Sequence, residues 1–361
     1  MNRSTLKTLL GILTFVTPAA LAVEPEVPTY TDHANLLVVR DAAGQSVPAK
    51  TPADWSVRRA HVMGNLQRVM GPVPGAGRRV PLDVQVVETF DEPAYTRTKI
   101  TYASEPGDRV PAWLLVPKKP ASGPRPAMLC LHQTTTIGKD EPVGLGGKPH
   151  LRYAKELAER GYVTLSPDYP NFGEHKVDAY ALGYASASMK AIWDNMRAVD
   201  LLQGMKEVDP ARIGVIGHSL GGHNSIFTAA FEPRIAAIVS SSGFNSFPQY
   251  YKGNITGWSH KGYMPRLKED YDLDLTRVPF DFPELVGALA PRPFFTNSPT
   301  HDDNFEVQGV RDCIEAAGPI YALLGAPDSL VAAYPDAEHD FPDATRLTAY
   351  EFLDKTFKHR P

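Results

Sequence analysis

The pattern of hydrophobic and polar positions changes character along the chain. In the first part, residues 82–90 and 96–103 alternate polar and apolar side chains in the manner of half-buried strands. A turn is predicted at 105–108, and a further strand follows at 110–116. These segments predict an antiparallel set of strands.

After residue 120 the rhythm becomes one of short apolar strands separated by helices. Apolar strands that alternate with helices are typical of a mainly parallel sheet covered by helices on both faces, so the predicted fold class is α/β. The predicted strands are 127–131, 162–166, 213–216, 235–239, 294–296 and 330–334, and the predicted helices are 150–160, 184–206, 220–231, 306–324 and 343–358.

Two segments lie outside this rhythm. Residues 23–80 form an N-terminal extension whose first part, 23–50, is polar and is predicted to be extended. A helix is predicted over 53–70, with Asp54 as its cap and Gly71 at its end. Residues 244–283 are rich in aromatic residues, Gly and Pro and are too long for a plain connection. We interpret 244–283 as a lid insertion in a catalytic domain of residues 81–361.

Composition narrows the classes of function. The net charge of −4 gives no basic footprint for nucleic acid. Two cysteines cannot form a disulfide framework, and Cys130 and Cys313 fall in a predicted strand and a predicted helix, where they are expected to be small buried hydrophobes. Because 43% of residues are hydrophobic and 22% are charged, the chain is expected to be globular.

The first 22 residues have the features of a signal peptide. Arg3 and Lys7 precede an apolar stretch at 9–16 that is too short to span a bilayer. The small residues Ala20 and Ala22 predict cleavage after Ala22. A secreted or periplasmic protein without a stable membrane insertion is therefore expected; the alternatives are a buried first helix and a membrane anchor.

The strongest chemical signal is Gly217-His218-Ser219-Leu220-Gly221, which matches G-x-S-x-G between a predicted strand and a predicted helix. In this context the serine lies on a tight strand-to-helix turn, where a neighbouring Cβ would clash. The turn places Ser219 at a helix N-terminus, which favours a developing negative charge. Ser219 is therefore the candidate nucleophile; the alternative is an ordinary serine in a structural turn.

A serine nucleophile needs a base and an acid, and the chain order serine, acid, histidine predicts where they lie. His339 lies in a loop after the last predicted strand and is the candidate base. The acid should follow strand 294–296, where Asp302 and Asp303 are adjacent. We favour Asp302, and Asp303 stays open as the alternative.

An oxyanion hole needs two backbone N–H groups aimed at the reacting oxygen. The first is expected from Leu220, the residue after the nucleophile, and the second from Gln133, in the loop after strand 127–131. In the insertion, Trp258, Tyr263 and Arg266 are candidate substrate-binding residues, since aromatic rings beside an arginine suit a sugar and an acyl or carboxylate group. Packing within the insertion is an equally good explanation of these three.

No metal-binding motif is present. The chain has no H-E-x-x-H sequence and no paired-cysteine zinc spacing. Residues 144–148 (GLGGK) lack the spacing of a phosphate-binding loop, and we discount them as one.

With these motifs in place, the chain resembles the α/β-hydrolase superfamily over residues 80–360. The strand ending Cys130-Leu131-His132-Gln133, Asp168-Tyr169-Pro170 and Ala290-Pro291-Arg292-Pro293 look like those of dienelactone-hydrolase-like and acetylxylan-esterase-like bacterial enzymes, and the catalytic core of prolyl oligopeptidases is similar. The resemblance implies an eight-stranded sheet and no cofactor. Dienelactone hydrolases proper use a cysteine where this chain has Ser219, and residues 23–80 are too few for the propeller of a prolyl oligopeptidase.

These features together predict an exported serine carboxylic-ester hydrolase that works through an acyl-enzyme. Its expected substrate is a small-molecule or polysaccharide ester, such as an acetyl or methyl ester. A serine peptidase or amidase is the nearest alternative, and a catalytically inactive binding protein on the same fold is the second. The oligomeric state does not follow from the sequence.

Overall fold

The computed structural model describes residues 27–361. The predicted signal peptide and its cleavage site lie outside the described residues. Among the described residues, no helix has both the length and the apolar character needed to cross a membrane.

A nine-stranded mixed sheet forms the centre of the molecule, with strand order β11-β10-β9-β8-β6-β7-β5-β4-β3. Its strands are β3 (Gln85–Asp91), β4 (Tyr95–Glu105), β5 (Asp108–Pro117), β6 (Arg125–Leu131), β7 (Val163–Pro167), β8 (Val208–His218), β9 (Ile235–Ser241), β10 (Phe294–Asn297) and β11 (Leu330–Ala333). Strands β6 to β11 pair with one another in parallel. Strands β3, β4 and β5 form one edge of the sheet, where β3–β4, β4–β5 and β5–β7 pair antiparallel. The α/β class is confirmed, and the sheet has one strand more than the eight expected.

Helices cover both faces of this sheet. They are α1 (Pro52–Met70), α2 (Tyr153–Glu159), α3 (Ala187–Gln203), α4 (Leu220–Phe231), α5 (Arg266–Glu269), α6 (Phe282–Leu289), α7 (Val307–Leu323) and α8 (Asp343–Phe357). Fully buried apolar side chains from helices and strands form a core on each face. Cys130 and Cys313 are buried free thiols within these cores, as predicted.

Three local predictions are corrected. The polar segment 23–50 is not simply extended, because Val38–Arg40 (β1) and Ser46–Pro48 (β2) pair as a small antiparallel hairpin. The cap of α1 is Thr51 rather than Asp54, and the Asp54 side chain accepts a hydrogen bond from the Thr51 backbone N–H, which completes a capping box. Helix α6 was not predicted; Asp281 caps it in the same way, with Glu284 as its partner.

The topology brings four loops to one edge of the sheet. Strands β6, β8, β9, β10 and β11 run in parallel, so their carboxyl ends lie side by side. The loops that carry Gln133, Ser219, Asp302 and His339 all leave from these ends. This is the edge at which open α/β sheets bind ligands.

Candidate active site

Ser219 occupies a strained turn between β8 and α4. Its backbone has φ 53° and ψ −116°, a left-handed conformation that is rare for residues with a side chain. Its N–H donates to the Ser241 carbonyl at 2.8 Å, and its carbonyl accepts from the His223 N–H at 3.1 Å. The strain is thus held in place by the neighbouring strand on one side and by the first turn of α4 on the other.

The glycines of the motif are required by close backbone contacts. A Cβ on Gly221 would lie 1.9 Å from the Leu131 carbonyl oxygen, and a Cβ on Gly217 would lie 2.2 Å from the Gly221 carbonyl oxygen. Real Cβ atoms do not approach backbone atoms this closely. The start of α4 can therefore pack against the end of β6 only because these positions have no side chain.

Asp302 and His339 form a hydrogen-bonded pair. His339 Nδ1 lies 3.0 Å from Oδ1 and 2.9 Å from Oδ2 of Asp302. The Asp302 side chain is buried, and its Oδ1 also accepts the backbone N–H groups of Asn304 and Phe305. Asp303 is exposed. Of the two adjacent aspartates, the structure thus brings the favoured one to His339.

The electrostatic setting keeps Asp302 ionised. Burial alone would raise the pKa of this carboxyl, but the hydrogen bond and charge of His339, together with the two backbone N–H groups, lower it below its usual value. An ionised carboxylate at Nδ1 holds the proton on that nitrogen. The other ring nitrogen, Nε2, is then free to accept a proton.

His218 fills the space between the turn and the late loop. Its ring centroid is 4.9 Å from that of His339, and its Nδ1 lies 2.9 Å from Ser241 Oγ. Burial, followed by the charges of His339, Lys148 and His150, lowers the pKa of His218 well below its usual value, so the ring is neutral. Ser219 is the next residue in the chain, which places the turn beside His339.

Within residues 27–361, no hydrogen bond joins the Ser219 hydroxyl to His339, while the Asp302–His339 bonds are formed. Hydrogen bonds of this kind are often long or poorly aligned without substrate and tighten when substrate binds. Of the two contacts in a serine–histidine–aspartate triad, the one between the histidine and the aspartate is therefore formed, and the serine lies next to it.

The loop after β6 is fixed by His132. The Tyr169 N–H donates to His132 Nε2 at 2.9 Å, and His132 Nδ1 lies 2.6 Å from the Gln133 carbonyl. Since Nε2 accepts, the proton must be on Nδ1, which donates to that carbonyl. Burial lowers the pKa of His132, in keeping with a neutral ring. The carbonyls of Leu131 and His132 lie close to Gly221, so the loop that carries Gln133 begins against the first turn of α4.

The three substrate-binding candidates do not share one location. Trp258 is buried, and its ring lies 5.0 Å from that of His223 and 6.1 Å from that of Phe305. Tyr263 contacts the same histidine, with ring centroids 5.1 Å apart. Arg266 instead donates from Nη1 to the Arg68 carbonyl at 3.0 Å, at the end of α1. Trp258 and Tyr263 thus both pack on His223, one helical turn after Ser219, whereas Arg266 is hydrogen-bonded to the end of α1 and shares only a groove with Tyr263.

The chain is similar to known hydrolases and esterases. A family model described as glucuronyl esterase of fungi matches residues 178–325, a range that includes Ser219 and Asp302. A Bacillus subtilis protein described as hydrolase YtaP is 26% identical over 82% of this chain and 99% of its own length. A 4-O-methyl-glucuronoyl methylesterase of Phanerochaete carnosa is 23% identical over 85% of this chain and 77% of its own length.

Solved structures show the same fold. A glucuronoyl esterase from Solibacter usitatus superposes with a TM-score of 0.73 at 20% identity, covering 92% of this chain and 99% of that one. A glucuronoyl esterase from Teredinibacter turnerae gives 0.68 at 18% identity, covering 92% and 94%. The chain is a carboxylic ester hydrolase with the α/β-hydrolase fold.

Sequence reasoning missed a buried glutamate behind the site of this esterase. Glu141 Oε1 accepts from the Gln133 side chain and from the Lys148 N–H, both at 3.0 Å. A Cβ on Gly147 would lie 2.2 Å from the same oxygen. The glycine-rich stretch 144–148 therefore makes room for Glu141, which in turn holds the loop of Gln133. The sequence shows only that a glycine-rich run follows an acidic residue, which reveals neither the burial of Glu141 nor its contact with Gln133.

One cluster of the esterase has the donor set of a metal site. Oxygen and nitrogen atoms of Asp108, His175 and Asp194 lie within 4.8 Å of one another. Lys190 Nζ, however, lies 2.6 Å from Asp108 Oδ2 and also contacts Asp194 and, at 3.3 Å, Glu105. The ammonium group supplies the positive charge that these carboxylates require, so the cluster is a buried ion network rather than a preformed metal site.

Proposed function

We propose that this esterase is exported and hydrolyses esters of uronic-acid carboxyl groups in polysaccharides, such as methyl glucuronates. The matched family model and the curated relative both have names that denote glucuronoyl ester cleavage. The matched range 178–325 includes Ser219, Asp302 and the insertion with Trp258 and Tyr263. This narrows the expectation of acetyl or methyl esters towards an ester on the sugar acid itself.

The proposed reaction is a two-step acyl transfer. His339 Nε2 removes the proton of Ser219 Oγ as this oxygen attacks the ester carbonyl. Asp302 holds the Nδ1 proton and stabilises the imidazolium ion. The N–H groups of Leu220 and Gln133 bind the negative oxygen of the tetrahedral intermediate. His339 then protonates the leaving alcohol, and water attacks the acyl-enzyme by the same route.

A single observation carries this mechanism: the contact of both Asp302 oxygens with His339 Nδ1, next to a serine at φ 53°. Strained backbone is costly and persists where the surrounding structure requires it. A purely structural turn would not need a strained serine beside a histidine–carboxylate pair.

Export is proposed from the first 22 residues alone, on the charged start, the apolar stretch and the small residues before Val23. N-terminal sequencing of the protein from a secreting bacterial host should give Val23 as the first residue. A first residue of Met1 in the exported fraction, or retention of all protein in the cytoplasm, would contradict export.

Activity is tested on a panel of purified substrates: methyl glucuronate, acetylated xylan, p-nitrophenyl acetate and aminoacyl-p-nitroanilides. We expect the highest kcat/KM on the glucuronate ester and none on the anilides. Ser219→Ala should abolish turnover, whereas Ser122→Ala, at an exposed loop serine, should leave it unchanged. Hydrolysis of the anilides alone would favour the peptidase, and failure of folded protein to react with a fluorophosphonate would favour an inactive scaffold.

A further inference from the structure

A second feature of the carboxyl edge is a long open groove, which we call the lateral groove. It has a volume of about 970 Å³ and runs between the loop after β7 and the tip of the insertion. Its lining includes Thr134, Phe172, Tyr180, Tyr263 and Arg266. Of the residues given candidate roles above, Tyr263 and Arg266 belong to this lining.

The walls of the lateral groove are fastened together. The Tyr180 hydroxyl donates to the Lys261 carbonyl at 2.6 Å, and the Tyr169 hydroxyl donates to the Gly262 carbonyl at 2.9 Å. The Ser188 N–H donates to the next carbonyl, that of Tyr263, at 3.3 Å. Three successive carbonyls of the insertion are thus bonded to the opposite wall, so the groove is formed before any ligand arrives, which lowers the entropy lost on binding.

The lining has the chemistry of a sugar site. The rings of Phe172, Tyr180 and Tyr263 offer apolar faces, on which the C–H face of a sugar ring can pack. Polar groups between them can hydrogen-bond hydroxyls; they are Asn171, Asp178, His260, Lys261, Arg266 and Glu269. Two of these are acidic and two are basic, so the charge of the lining is balanced. A polyanion would gain little from such a surface, whereas uncharged hydroxylated rings match it.

The groove leads directly to the proposed reaction centre. Thr134 follows Gln133, one of the two proposed oxyanion donors. Tyr263 packs on the cluster that contains Leu220, the other donor. Burial raises the pKa of Tyr263, and a hydrogen bond with Thr134 offsets part of this rise, so the groove end and the oxyanion loop are linked by a side-chain contact.

We propose that the lateral groove binds the neutral sugar residues of the polysaccharide chain that carries the ester, leading them away from the reaction centre on the oxyanion side. This rests on the proposed function as far as the ester is concerned. The binding of neutral oligosaccharide to the groove does not depend on it.

The kinetic test compares methyl glucuronate with the same ester attached to neutral xylo-oligosaccharides of increasing length. We expect kcat/KM to rise with length and to reach a plateau when the groove is filled. Tyr180→Ala, at a ring that is 37% exposed, should lower kcat/KM for the longest ester about tenfold and leave that for methyl glucuronate unchanged. Equal values for all lengths would overturn the proposal.

The matched control is Tyr180→Phe, which keeps the ring and removes only the hydroxyl bond to Lys261. It should retain most of the gain with chain length. A loss as large as that of Tyr180→Ala would assign the effect to the wall contact and overturn the role of the ring in binding sugar.

A binding measurement separates this proposal from the proposed function. Titration calorimetry of Ser219→Ala protein with unesterified xylo-oligosaccharides should show binding that Tyr180→Ala weakens. If no glucuronate ester is hydrolysed but this binding is seen, the ester assignment fails and the groove stands. If esters are hydrolysed but xylo-oligosaccharide does not bind, or oligogalacturonate binds more tightly, the groove does not take neutral sugars.

Discussion

Asp302→Asn offers a sharp test of the proposed mechanism, because the structure predicts which way the new amide will face. Asp302 Oδ1 accepts the N–H groups of Asn304 at 2.9 Å and Phe305 at 3.0 Å. An asparagine must keep its oxygen there, since its NH₂ group would oppose two donors. The NH₂ group then takes the place of Oδ2, 2.9 Å from His339 Nδ1.

Facing an NH₂ group, His339 is stable only with Nδ1 unprotonated and the proton on Nε2, which leaves Nε2 unable to accept the serine proton. Restoring the active tautomer costs a charge-assisted hydrogen bond of about 1.5–3 kcal/mol and sets two buried donors against each other, at about 1–3 kcal/mol more. A total of about 2.5–6 kcal/mol corresponds to a fall in kcat of about 10²–10⁴. KM should change little, because no substrate contact is removed.

The assay is steady-state hydrolysis of the best ester of the panel, with thermal unfolding as the check that the variant is folded. Asp303→Asn is the matched control, since Asp303 is exposed, and it should stay within about twofold of the parent. A larger loss in Asp303→Asn, or more than a tenth of the parental kcat in Asp302→Asn, would refute the reasoning.

Three further predictions concern the scaffold. Gly221→Ala should prevent folding or cost several kcal/mol, because its Cβ would lie 1.9 Å from a carbonyl oxygen, whereas Gly318→Ala, with open space around it, should be tolerated in urea unfolding. Lys190→Met should lower the free energy of unfolding by about 3–5 kcal/mol at pH 7, because it leaves buried carboxylates without their positive partner. The loss should be smaller at acidic pH, where these carboxylates become protonated. Lys206→Met, at a side chain that is 91% exposed, is the control, and an equal loss there would contradict the prediction. Burial raises the pKa of Asp281 to about 7, so the folded state retains a proton that the unfolded state releases near pH 4. Between pH 4 and pH 7, the free energy of unfolding of the parent should therefore fall by roughly 3 kcal/mol more than that of Asp281→Asn. Parallel pH profiles of the two proteins would contradict this.

The repeating pattern and the turn motif were readable from the sequence. Most of the strands from β6 to β11 are short apolar runs bounded by Gly, Pro or polar residues, so their positions follow from local composition, whereas the polar first half of β8 (Val208–His218) gave no such pattern. The motif at Ser219 was specific because a strand precedes it and a helix follows it. Chain order then directed attention to His339 and to the pair Asp302–Asp303.

Other features depend on partners that are distant in the chain. The three-residue strands of the β1–β2 hairpin are too short for a periodic pattern to show. Lys190 reads as an ordinary helical lysine, yet it is fully buried because Asp108, 82 residues earlier, lies beside it. Glu141 likewise has no local signature of its contact with Gln133. At the start of α1 the difference is smaller: the predicted cap Asp54 belongs to the capping box, but Thr51 is the N-cap.

The hydrogen bonds from Tyr180, Tyr169 and Ser188 to three consecutive carbonyls give the lateral groove of this enzyme a fixed shape. Under the proposed function, a polysaccharide would lie across this groove with both of its ends extending into solvent. Under the same proposal, esters in the middle of a long polysaccharide would then be as accessible as those near its ends.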